Sequence, residues 1–416
     1  MDQLDYEFFN HSLFQLFSLV PKKKEINYNV TFGCRSIYNG VLMLRSASHR
    51  KPILRLPRDH YHKRDQDTEQ CSTVSVLFIA EDLMGPYNNT FRPPPGIKFA
   101  AMRYKSTENI KQNKRDCVAI NIGIGDPRYL KINVTSDWLN YSGGALLRTV
   151  SSFKDNWKYK YFRERYTKKR QFWVCPHKCE MLPMMSSRPN TPVVGLHKLL
   201  SPEFNCVYYM MKYNADDSLI IRMNYHVSDY IQLYEDIIYL TERERFDTLF
   251  EEINKEETLV RCQGIIMPRI SHETSIDLST KLHEKYDDED DDKVELVKKI
   301  VDYDEKMPFY GPIAMTNMFK EMQPRYKHIL KSNININETG TNIWSTFDTI
   351  INPVNKEQKK EEEEEEEETD NEVEEEMSED NTELPTWDII NKPFTYFIVQ
   401  KTGAIVHMGI FTGRNT

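Results

Sequence analysis

The strongest constraint on this chain is a pair of apolar runs, 394–399 (Phe-Thr-Tyr-Phe-Ile-Val) and 404–411 (Ala-Ile-Val-His-Met-Gly-Ile-Phe), around Lys401-Thr402-Gly403. Two strands with apolar faces and a polar turn are what a buried hairpin requires. Other elements must therefore cover it. The rest of the chain supplies strands and helices in mixed order. Phe9, Leu13, Leu16, Phe17 and Val20 repeat at helical spacing and Pro21 closes them. Residues 36–44 read as a second, mostly buried helix, and 242–254, with Phe246, Leu249, Phe250 and Ile253, as a short amphipathic one. Strands are expected at 117–125, 144–153, 171–174 and 259–267. The runs 205–213 and 218–223, joined by Asn214-Ala-Asp-Asp217, read as a hairpin. Residues 85–96, with Pro93-Pro94-Pro95-Gly96, read as a turn region, and 348–390 as loop. This mixture points to an α+β architecture, not to alternating β/α units.

Charge is distributed unevenly. The 416 residues carry a formal net charge of −9, yet 361–383 alone hold 16 acids and no Lys or Arg. Without that stretch the formal charge is +7. A basic body thus carries an acidic, low-complexity insert. The basic residues cluster in 154–170, where Lys154, Lys158, Lys160, Arg163, Arg165, Lys168, Lys169 and Arg170 interleave with Trp157, Tyr159, Tyr161, Phe162 and Tyr166. Such a patch binds polyanions by releasing their counterions. It also reads as a solvated face, or as one neutralised by the protein's own acidic insert.

Several chemistries find no support. There is no Gly-x-Ser-x-Gly elbow and no phosphate loop. Gly123-Ile-Gly125 is followed by Asp126-Pro127 where a nucleotide fingerprint needs a helix start, so a tight turn is expected. Cys175, His177 and Cys179 would share a face if they stood on one strand, but no fourth ligand is identifiable and no metal site is expected. Seven cysteines leave at least one unpaired within the chain. No run approaches the ~20 apolar residues of a membrane helix, so no membrane partner is expected. The N-terminal residues lack a signal-peptide pattern, whereas six Asn-x-Ser/Thr sequons, at Asn10, Asn29, Asn88, Asn133, Asn140 and Asn337, favour the secretory route.

The segment Asn391-Lys-Pro-Phe through Val406-His-Met-Gly409 resembles the C-terminal signature of the serpins, in which a Pro-Phe opens one buried strand and a second ends on Met-Gly or Phe-Gly. Other blocks follow in the family's order. Asn29-Val-Thr-Phe-Gly-Cys-Arg-Ser-Ile37 is similar to the segment that enters the second helix. Phe153-Lys-Asp-Asn-Trp157, Leu182-Pro-Met-Met185 and Met267-Pro-Arg269 with Asp277-Leu278 resemble three further blocks, and Asn337-Glu-Thr-Gly-Thr341 resembles the hinge of the reactive loop. Residues 45–144 align poorly. The resemblance implies a single domain over 1–416, with three β-sheets, about nine helices and an exposed reactive loop, here extended over 342–390. It implies no catalytic residue, no cofactor, a monomer, an extracellular setting and a serine protease as partner. Inhibitory members are cut in the loop, which then inserts as an extra strand into the large sheet and carries the acylated protease with it.

Departures from the family pattern bear on function. The hinge residues Glu338, Gly340 and Thr341 are followed by Ile343, Trp344 and Phe347 where inhibitors carry small residues. Overpacking costs ~1–3 kcal/mol per residue, so slow insertion and a non-inhibitory binding or signalling role are expected. Gly33 and Cys34 replace Ser and Pro, Leu330 stands where a histidine is usual, and Thr149 replaces an asparagine. Family spacing places the scissile bond near Val354-Asn355, with Lys356, Lys359 and Lys360 as nearby alternatives for a trypsin-like protease. An active serine protease inhibitor and a polyanion-binding (heparin-like) module remain as the alternatives.

Overall fold

A computed structural model of the chain describes Phe17 and residues 29–47, 71–80, 91–93, 97–104, 145–188, 193–240, 245–259, 264–278, 324–353 and 387–413. Along the chain, β1 (Val30–Phe32) leads into helix α1 (Cys34–Ala47), then β2 (Cys71–Ala80), β3 (Phe99–Tyr104) and β4 (Ala145–Asn156). The middle supplies β5 (Lys168–Cys175), β6 (Lys178–Ser186), β7 (Leu196–Ser201), β8 (Cys206–Lys212), β9 (Ser218–Asn224), α2 (Tyr230–Tyr239) and α3 (Arg245–Ile253). Strands β10 (Ile265–Pro268), β11 (Ile270–Asp277), β12 (Pro324–Ile336), β13 (Gly340–Pro353), β14 (Asp388–Ile389), β15 (Phe394–Val399) and β16 (Ile405–Phe411) complete the order.

The strands form three sheets. The first runs β11-β12-β13-β4-β2-β3, the second β1-β16-β15-β9-β8-β7, and the third, smaller one β14-β10-β6-β5. The expected hairpin is β15–β16, placed inside the second sheet between β9 and β1. Every residue of its two strands is buried, which is why both runs are apolar almost throughout. The other expected hairpin is β8–β9, with Asp216 taking a left-handed conformation (φ 67°) in its turn. Helix α1 covers the expected 36–44. All its residues up to Leu44 are buried, because it packs on β4 and β13 of the first sheet and on β16 of the second. The resemblance implies about nine helices, of which three α-helices lie among the described residues.

Some expectations need correction. Residues 348–353 are not loop but the second half of β13, and 388–389 form β14. Of the expected strand 259–267, Ile265 to Met267 belong to β10 and Leu259 makes an isolated bridge to His197, while 260–263 lie outside the described residues. The expected strand at 117–125, and Gly123-Ile-Gly125 within it, lie outside the described residues. Asn29 is buried, and its Oδ1 accepts hydrogen bonds from the backbone N–H of Thr412 (2.8 Å) and its hydroxyl. A glycan on that sequon is incompatible with this fold.

Candidate functional site at the hinge strand

The residues of the expected hinge come together in β13 and the turn before it. The strand is antiparallel to both neighbours along its length. It pairs with β12 from Thr341–Ile336 to Pro353–Pro324, and with β4 from Gly340–Asn156 to Ile351–Ala145. The turn is tied down by Asn337, whose Oδ1 accepts from the Thr339 N–H (2.9 Å), and by the Trp157 indole N–H, which donates to the Asn337 carbonyl (2.9 Å). Trp157 itself stacks on Tyr213 at 4.7 Å between centroids, and the Tyr213 hydroxyl meets that of Thr341 at 2.6 Å. Glu338 is gripped by Arg269 (Nε 2.9 Å, Nη2 2.8 Å) and by the Thr167 hydroxyl. Burial pushes its carboxyl up, but those hydrogen bonds and the guanidinium outweigh burial and hold it below its ordinary value.

Alternation then divides β13 between two faces. Thr341, Ile343, Ser345, Phe347, Thr349 and Ile351 share one, and Ser345 and Phe347 on it meet α1. Ile343 and Phe347 are each 2% exposed, so both bulky side chains are enclosed. The reason lies in α1 and the residue before it. A Cβ on Gly40 would stand 2.1 Å from the Phe347 ring, and one on Gly33 1.8 Å from the Ser345 hydroxyl. Both glycines leave room that any other residue would close. The Ser345 hydroxyl lies 2.8 Å from that of Ser36 and 2.9 Å from that of Ser151. His328 lies parallel to the Phe347 ring, 5.9 Å away, and its Nδ1 meets the Thr349 hydroxyl at 3.0 Å. Leu330, directly opposite Phe347, is buried, and Thr149 bonds to Ser75 (2.9 Å).

The opposite face carries Trp344, half-buried, and Asp348. Asp348 stands across from Arg148 on β4 and accepts a bidentate pair of bonds, Nε–Oδ1 at 2.7 Å and Nη2–Oδ2 at 2.5 Å. Their side chains are 4% and 6% exposed, so this is a buried ion pair whose partners are 200 residues apart. Arg148, Asp348 and His328 did not stand out in the sequence. An arginine inside the apolar run Ala145-Leu-Leu-Arg-Thr-Val150 was the available signal. Val354 and Asn355 lie outside the described residues.

Of the basic residues, Lys154, Lys158, Lys160, Arg163, Arg165, Lys168 and Lys169 are exposed and Arg170 is half-buried. Lys158 forms an exposed ion pair with Asp216. Lys160, Arg163 and Arg269 line a groove of about 1020 Å³ that opens beside Glu338. Cys175, His177 and Cys179 do not share one strand. A turn separates β5 from β6, and Cys179 pairs with Trp173, Cys175 with Lys178. No group of three metal-ligating side chains gathers among the described residues.

No family model and no curated protein sequence matches the chain. Solved structures do. A cleaved Serpin 42Da superposes with a TM-score of 0.64 at 14% identity, over 99% of both chains. A cleaved, loop-inserted ovalbumin mutant gives 0.62 at 11% identity, over 99% of this chain and 100% of that one. The thermophilic serpin tengpin in its latent state gives 0.58 at 14% identity, over 99% and 98%. The chain has the serpin fold, α+β with three sheets. By the resemblance of 337–341 to the hinge, β13 is the strand expected from the reactive loop.

Proposed function

We propose that this serpin-fold protein is non-inhibitory and acts as a binding or signalling protein. The supporting observation is β13 itself, which is hydrogen-bonded on both sides and locked by the buried Arg148–Asp348 pair. A protease trap needs strain that loop insertion releases. A chain whose loop strand is already seated has no such strain left to displace an acyl-enzyme. The bulky residues at 343 and 347 support the reading in a sense opposite to the one expected: they do not obstruct the seat but fill it. The test is incubation with trypsin-, chymotrypsin- and elastase-like proteases. We expect cleaved protein, no covalent complex on a denaturing gel, and an unfolding temperature unchanged by cleavage. A shifted covalent band at near-stoichiometric ratio would overturn the proposal.

A second reading, polyanion binding, is favoured by the seven exposed basic side chains of 154–169. It is compatible with the first, since ligand capture at that face needs no loop movement.

A further inference from the structure

We infer that the chain seats β13 without being cut, and that the length of the acidic connection is what allows it. This rests on the reading of β13 as a seated strand. The geometry poses a conflict that a short connection could not resolve. Strand β13 starts at the hinge and ends at Pro353, opposite Pro324 at the far end of β12. Fourteen residues of strand span about 45 Å. The chain returns at Trp387 and pairs as β14 with β10, Asp388 opposite Ile265 and Ile389 opposite Ile266. Strand β10 runs into Arg269, which holds Glu338 in the hinge turn, and Ile270 pairs with Ile336 two residues before Glu338. The point of return is therefore at the hinge end of the sheet, a strand's length away from Pro353.

Residues 354–386 connect the two, 33 in all. Fully extended they reach about 110 Å, more than twice the distance needed, so they can round the body without pulling at either end. Removing 361–383 would leave 10 residues, 354–360 and 384–386, with a reach of about 37 Å. That is shorter than β13 itself. A chain so shortened cannot hold β13 at full length and β14 in register together. Either the hinge strand or β14 must leave its sheet. The acidic insert thus acts as a spacer, and its charge is a separate property.

The experiment compares three uncut proteins: the full chain, a deletion of 361–383, and a same-length Gly/Ser replacement of 361–383. Hydrogen exchange is read at the amides of 341–351 and 388–390, and the unfolding temperature is read before and after nicking the connection. We expect the full chain and the Gly/Ser protein to protect both sets and to change little on nicking. The deletion should lose protection at one of the two sets, and nicking should restore it with a rise in unfolding temperature. Protection of both sets in the uncut deletion would overturn the spacer inference alone. Free exchange of 341–351 in the uncut full chain, gained only on nicking, would overturn the seated strand and with it the proposed function. Should the deletion fail to fold, the Gly/Ser protein decides: loss of its protection would show that composition, not length, matters.

Discussion

The carboxylate of Asp348 is the residue on which the seated strand depends most. Its only described ion pair is with Arg148, and both side chains are buried. Breaking a buried pair by removing one partner is costly, because the other charge is left without compensation. We expect Asp348→Ala to lose ~3–5 kcal/mol in urea unfolding, and the double change Arg148→Met with Asp348→Leu to recover most of that loss. If the single and double variants were equally unstable, the pair would not be what holds the strand. The same seat depends on a missing side chain. Gly40→Ala places a methyl 2.1 Å from Phe347 and should cost ~1–3 kcal/mol. Phe347→Leu in that background should recover part of it, and no recovery would mean the clash lies elsewhere. These residues show why sequence reading fails at this scale. Phe347 looks too large for a sheet interior until Gly40, which leaves room for its ring, is known, and that glycine stands 307 residues away in sequence (347 − 40).

Among elements, the apolar hairpins were legible and the polar β12–β13 hairpin was not. Strands β8–β9 and β15–β16 are joined by short polar turns, so their apolar runs declare both members. Strand β13 is polar at Thr346, Asp348, Thr349 and Asn352, and although it follows β12 through the short turn 337–339, its other partner β4 comes from a distant segment. Its second half therefore reads as loop, because a buried aspartate signals strand only once its arginine is placed opposite. The strand β5 and the loop before it were legible by charge, and that charge predicts binding. Replacing Lys160, Arg163 and Lys168 by Glu should lower retention on immobilised heparin and flatten its salt dependence, since fewer counterions are released. Replacing the 16 acids of 361–383 by Gly/Ser keeps the spacer length and should raise the salt needed for elution. Unchanged elution in both would remove the basic face as a ligand site.

At the scale of the whole molecule, the fold was legible through the C-terminal hairpin and a series of short blocks in family order, and the seating of β13 was not, since it follows from a distance between two sheet ends. The two large sheets also meet at a buried pair of histidines that sequence alone does not pair. His407 on β16 is within bonding distance of the Thr31 hydroxyl on β1 and feels the charge of His272 on β11. Burial lowers His272 to about 4, and burial with the His272 charge lowers His407 to about 3, both from 6.5. Well above pH 6.5 both are neutral folded or unfolded. As pH falls below that value, the unfolded chain takes up protons that the folded one refuses, and stability falls towards pH 4. Two such groups give a slope of at most ~2.7 kcal/mol per pH unit. The urea midpoint should therefore drop between pH 7.5 and pH 5, and His272→Asn with His407→Gln should flatten the drop. An equal drop in that variant would assign the effect to other groups.

The placing of β16 also has a consequence for biosynthesis. Val30 pairs with Ile410, so β1, among the first strands to be made, must wait for nearly the last. Strand β9 waits likewise for β15. Until both arrive, two strand edges stand open, and open edges are where nascent chains pair wrongly. Such distant pairing also closes slowly. A message cut short before Phe394 would not yield a smaller version of this protein; it would yield β1 without a neighbour and β7–β8–β9 with a bare edge, two fragments of a sheet and a substrate for quality control.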